Sequence, residues 1–266
     1  MQIILGRTLG STGTRFVCNL FKNLESPEKV LWMGDGQFSK RGREKLWRLD
    51  CKDFDKSWVE ENIVAYLTEE EKRSKSLVIV HSHIPSQIDP MFSSLSKVDK
   101  PCIPVFSTIR DPLLVLHTQY WTDYALWGNE KWKASYEERK NKTVLLSERL
   151  IDIFTHQDKI FVYPIGIDKN LILNKFEIKA KEWEVSLSLK LKNLIKQNNF
   201  VGTTKSSRHL KARKGEEEFL KIKNSILSSR TDSILNIYDV EYSLLKADEK
   251  LKSCFIEAGY KDLSWY

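Results

Sequence analysis

The stretch Ile3-Ile4-Leu5-Gly6-Arg7-Thr8-Leu9-Gly10-Ser11-Thr12-Gly13-Thr14-Arg15-Phe16-Val17 decides how the rest of the chain is read. Three apolar residues in a row suit a strand buried on both faces. Further on, Phe16, Val17, Leu20, Phe21 and Leu24 recur at the spacing of one helical face. The order is strand, loop, helix, and the loop is rich in small and hydroxylated residues. Small residues let backbone N–H groups approach an anion closely, and the N-terminus of the following helix adds partial positive charge. The hydroxyls of Ser11, Thr12 and Thr14 add hydrogen bonds, which makes Gly6 to Arg15 a candidate phosphate loop. The loop lacks the Gly-Lys-Ser/Thr ending of a Walker A motif, which disfavours an ATPase or nucleotide kinase. An ordinary strand–helix turn has the same composition, so the loop alone does not choose between these readings.

Outward from this stretch the pattern repeats. Short strands are expected at Val30-Leu31-Trp32-Met33, Leu77-Val78-Ile79-Val80, residues 103–109 and residues 159–163. Amphipathic helices are expected over 57–75 and 132–156, and another begins at Asp111-Pro112, with proline suited to the first helical position. From Asp168 onward the pattern is mainly helical, interrupted by a polar loop over about 202–215. Alternating strands and helices, with strands apolar on both faces, predict an α/β fold with a mostly parallel sheet flanked by helices. The 266 residues contain no linker and no break in composition, so residues 1–266 read as a single domain.

Bulk properties exclude more than they select. The net charge of +7 arises from 43 basic residues interspersed with 36 acidic ones, which reads as solvated surface. No nucleic-acid recognition motif accompanies it. Cys18, Cys51, Cys102 and Cys254 are far apart, which argues against a zinc site or a disulfide framework. Too few apolar residues precede Arg7 for a signal peptide, and the chain reads as cytoplasmic with no membrane partner.

In parallel sheets ligands collect at the carboxyl ends of the strands. Three polar clusters fall there: Gly6 to Arg15, His81 to Pro85, and Arg110 to Pro112. A histidine at a strand end suits a general base, although a pair of structural loop histidines has the same signature. Arg110 offers a planar fork for phosphate oxygens, and Thr118 on the next helix can reach the same anion. Asp111-Pro112 caps that helix and sets the distance between them.

These motifs resemble those of the PAPS-dependent sulfotransferases. Gly13-Thr14-Arg15 is similar to the Gly-Gly-Thr-Arg loop of some carbohydrate-acting members, with Ser11 where the family's loop lysine falls. His81-Ser82-His83-Ile84-Pro85 is similar to the Lys-Thr-His-Leu-Pro motif whose histidine is the catalytic base. The segment Arg110-Asp111-Pro112, with Thr118 eight residues after the arginine and then Tyr120, looks like the family's 3′-phosphate motif. Arg213-Lys214-Gly215 resembles the Arg-Lys-Gly segment that closes over that phosphate, without its Gly-Asp-Trp continuation.

The resemblance implies a P-loop NTPase-like sulfotransferase fold and transfer from PAPS to a small-molecule or carbohydrate acceptor, releasing 3′,5′-ADP without a metal. It implies His83 as the base and His81 as a donor to the sulfonate. Gly10, Ser11, Thr12, Gly13 and Thr14 would cradle the 5′ end with Arg7 or Arg15 as its cation. Arg110 and Thr118, with Arg213, Lys214 and Gly215, would hold the 3′-phosphate. Tyr163 falls near the adenine contact, or is core. Trp121, Tyr124, Trp127 and Trp132 could line an acceptor pocket, though their helical spacing also suits a core. The competing readings are an ATP-dependent P-loop phosphotransferase, which leaves Arg110 and Thr118 idle, a donor-binding inactive relative, and a basic nucleic-acid-binding module.

Overall fold

A computed structural model describes residues 2–33, 56–83, 89, 93–95, 104–127, 134–156, 160–184, 186–197, 216–228 and 237–266. Ile84, Pro85, Trp132, Arg213, Lys214, Gly215, Cys51, Cys102 and the loop over 202–215 lie outside the described residues.

The elements follow in the order β1 (Gln2–Arg7), α1 (Thr14–Phe21), β2 (Val30–Met33), α2 (Lys56–Lys72), β3 (Leu77–Ser82), β4 (Val105–Ile109), α3 (Pro112–Trp127) and α4 (Tyr136–Thr155). After them come β5 (Ile160–Pro164), α5 (Lys169–Glu182), α6 (Leu189–Gln197), α7 (Glu216–Leu227), α8 (Asp239–Lys246) and α9 (Glu249–Ala258). The five strands form one sheet in the order β2-β3-β1-β4-β5, and all four pairings are parallel. This is the α/β class expected from the alternating pattern.

Both sheet faces are covered, which explains why the strands carry continuous apolar runs. One face buries Ile4, Ile79, Phe106 and Phe161 against α1, α5 and α6, with Phe21, Phe176 and Trp183 in the same cluster. The other packs Ile109 and Val162 with residues of α3, α4, α7, α8 and α9, including Leu114, Leu150, Ile222, Leu245 and Phe255. Gly6 has a packing reason: a Cβ there would lie 2.7 Å from the His81 Cβ and 2.7 Å from the Phe106 ring.

Helix ends obey the local chemistry of their sequences. Asp111 Oδ1 accepts from the Leu114 N–H at 3.1 Å and caps α3. For α4 the pattern predicted a start near Trp132, but Ser135 and Glu138 form a capping box that starts the helix at Tyr136. A buried ionic network joins α3, α4 and α8. Glu241, fully buried, accepts from the Tyr120 hydroxyl at 2.8 Å and from Arg139 Nε and Nη2 at 3.0 and 2.5 Å. Its contacts hold the Arg139 guanidinium well above its ordinary value.

Candidate functional site

The strand order places β1 between β3 and β4. The chain leaves β1 towards β2 on one side, whereas it leaves β4 towards β5 on the other. Their carboxyl ends therefore flank a topological switch point, where ligands bind in open parallel sheets. The described residues of the three polar clusters read from the sequence reach this edge.

The loop after β1 is tied to each neighbouring element. The Thr8 N–H donates to the Ser82 carbonyl at the end of β3, at 3.1 Å. The Thr12 hydroxyl donates to Leu9 O at 2.6 Å and lies 2.6 Å from the Thr108 hydroxyl of β4. Since that proton serves a carbonyl, Thr108 must donate to Thr12. Thr14 lies 3.4 Å from the same Thr108 oxygen. Thr12 and Thr14 are both buried, and their hydroxyls meet β4 at Thr108. Ser11 and Gly13 have φ of 67° and 96°, and Gly13 is the N-cap of α1. No side chain caps α1, so the loop delivers the positive end of an eight-residue helix to the switch point.

Gln119, which the sequence reading missed, anchors the loop from α3 by donating to the Gly10 carbonyl at 3.3 Å. Its neighbour Thr118 is half-buried and donates to Leu114 O at 2.8 Å. Arg110 leaves the end of β4 with 8% exposure. Burial pushes its guanidinium down to about 10, against the raising effects of Asp111 and Tyr260.

A second cation completes this corner. Lys223 of α7 is half-buried, and burial together with the nearby Arg110 charge lowers its ammonium. Packing accounts for the placement. Phe219 stacks on His117 at 4.6 Å and meets Trp121 at 4.9 Å, and the His117 Nε2 proton is donated to Phe219 O at 3.2 Å. Ile222 and Ile226 share a cluster with Leu113 and Leu114, so Lys223 follows the inward face of α7 towards the start of α3. Two cations near one ligand edge of a parallel sheet favour an anion there, against the adjoining Asp111. One lysine on an ordinary amphipathic helix gave no sequence signal for this.

The two histidines lie side by side, with ring centroids 5.8 Å apart and the rings edge-on. His83, half-buried just beyond β3, has Nδ1 3.1 Å from the Thr8 hydroxyl. His81 is 1% exposed and faces α1. Its Nδ1 accepts from the Trp32 indole N–H at 3.1 Å and lies 3.7 Å from Cys18 Sγ. The register pairs Gly6 with His81, and the Cys18 contact puts this ring on the sheet face that α1 covers.

Other expected ligands are placed differently too. The Arg7 guanidinium bonds Asp152 at 2.8 Å and lies 3.4 Å from Asp89, so its charge is committed to two carboxylates. Arg15 is exposed on the first turn of α1, at the loop. Tyr163 is 3% exposed, meets Phe16 edge-on at 6.1 Å, and has its phenol raised by burial, as a core tyrosine does. Trp121 is buried against α7, and the side chains of Tyr124 and Trp127 lie outside the described residues.

No protein-family model, curated protein or solved structure matches the chain. Among the described residues no cluster of His, Cys, Asp or Glu could hold a metal ion, and no helix is long and apolar enough to cross a membrane.

Proposed function

We propose that the chain is a sulfotransferase that moves a sulfuryl group from PAPS to a hydroxyl, or an amine, of a small-molecule or carbohydrate acceptor. The observation that carries this reading is the buried Arg110 at the end of β4, at the same sheet edge as the loop after β1 and His83. A donor with phosphates at both ends of one nucleoside needs two anion sites set apart; in this reading they are the loop after β1 and the Arg110 corner. The finer assignment is the P-loop NTPase-like sulfotransferase fold, with which the parallel five-stranded order is compatible.

Arg110, Thr118 and Lys223 would take the 3′-phosphate, Arg110 as a planar fork and Lys223 as a point charge. Backbone N–H groups of Gly10 to Thr14, the α1 N-terminus and Arg15 would take the 5′-phosphosulfate end. His83 accepts the acceptor's O–H proton as the acceptor oxygen forms its bond to sulfur. The bond from sulfur to the bridging phosphate oxygen breaks, and its electron pair leaves with 3′,5′-ADP. The protein's work is positioning and charge neutralisation, as in phosphoryl transfer. Acceptors screened with labelled PAPS test this. Transfer should fall about 10²–10⁴-fold in His83→Ala with donor affinity kept; undiminished transfer would remove His83 as the base.

A further inference from the structure

We infer that Thr8 is a positioning residue that fixes the tautomer and direction of His83 and references the base to the phosphate loop; this rests on the reading of His83 as the base. Thr8 is fully buried and directly follows β1. Its hydroxyl oxygen lies 3.2 Å from the Ser82 carbonyl and 3.1 Å from His83 Nδ1. A hydroxyl has one proton, and a carbonyl only accepts. With the Thr8 proton on Ser82 O, the contact to His83 is donated by Nδ1–H. Its 3.1 Å length falls within the range of N–H···O bonds.

The consequence is chemical. A neutral imidazole protonated on Nδ1 carries its lone pair on Nε2, on the side of the ring away from Thr8. That is the nitrogen a base needs for an acceptor proton. After Nε2 takes the proton, Nδ1–H still donates to Thr8, so the anchor persists through the step. Thr8 is continuous with the loop that Thr108 and Gln119 hold from the other side. One buried hydroxyl thus links the base to the cradle for the reacting sulfonate.

Long-range ¹H–¹⁵N correlation spectra of histidine-labelled full chain, recorded at alkaline pH, read this tautomer directly. The expected spectrum has the strongly displaced resonance of an unprotonated ring nitrogen on His83 Nε2. Thr8→Val should move the proton distribution towards Nε2, and Thr8→Ser should restore it. In transfer assays Thr8→Val should lower kcat by more than it changes the KM for PAPS. A wild-type His83 carrying its proton on Nε2, or a Thr8→Val spectrum identical to wild type, overturns the inference. Titration with 3′,5′-ADP separates the two claims: tautomer as expected without binding sinks the functional reading, whereas binding with the opposite tautomer sinks the role of Thr8.

Discussion

Replacing Arg110 by methionine removes the guanidinium while keeping much of its apolar stem. In the wild type this group is 8% exposed, and burial pushes it down to about 10, yet at neutral pH it remains charged. Truncating one partner of a buried, hydrogen-bonded charge pair costs about 2–5 kcal/mol, or roughly 30- to 5,000-fold in affinity for 3′,5′-ADP. Stability should respond differently. The substitution relieves a buried charge and its repulsion with Lys223, but it removes the attraction to Asp111. These effects oppose, and unfolding should change by no more than about 1 kcal/mol, a Tm shift under about 4 °C. The assay is calorimetric titration of wild type and Arg110→Met with 3′,5′-ADP and with 5′-AMP, beside thermal unfolding of both. The variant should lose most of the preference for 3′,5′-ADP over 5′-AMP. If affinity for both ligands falls equally, Arg110 does not read the 3′-phosphate. If the chain unfolds instead, Arg110 is a structural cation.

Lys223→Met should weaken 3′,5′-ADP binding by about 1–2 kcal/mol, roughly 5- to 30-fold, less than Arg110→Met because the ammonium is only half-buried. Its lowered value means that its charge costs the unliganded fold stability, and that this cost vanishes as alkaline pH removes the proton. A bound dianion favours the charged form, so affinity should fall on the alkaline side earlier in wild type than in Lys223→Met, read by titrations across pH. Glu241→Gln leaves Arg139 without its buried carboxylate and should cost about 3–5 kcal/mol, lowering Tm by roughly 6–20 °C in thermal unfolding. Gly6→Ala should cost about 1–3 kcal/mol by urea unfolding, since its Cβ would stand 2.7 Å from both His81 and Phe106.

Strands were legible because burial on both faces leaves a continuous apolar run, as in Leu77 to Val80. The start of α3 was legible because Asp111-Pro112 carries its own cap and first turn. Both are local signals. Apolar periodicity alone places the start of α4 a few residues early, whereas the Ser135–Glu138 capping box, also a local signal, sets it at Tyr136. The order β2-β3-β1-β4-β5 was not legible, since parallel pairing is fixed by contacts between distant segments. The site divides along the same line. That the loop, His83 and Arg110 share one edge followed from each standing at a strand end. The inward turn of His81 depends on register, and the neutralisation of Arg7 depends on Asp152, 145 residues away. Lys223 comes near Arg110 because α7 packs on α3 through Phe219 and His117. A pattern read along one segment contains none of these partners.

The central claim is that this edge binds a nucleotide phosphorylated at both its 3′ and 5′ positions. Calorimetric titration of the full chain with 3′,5′-ADP, ATP and duplex DNA tests it most directly. The account predicts saturable binding of 3′,5′-ADP, tighter than either alternative. Absence of 3′,5′-ADP binding, or a preference for ATP or DNA, would contradict it.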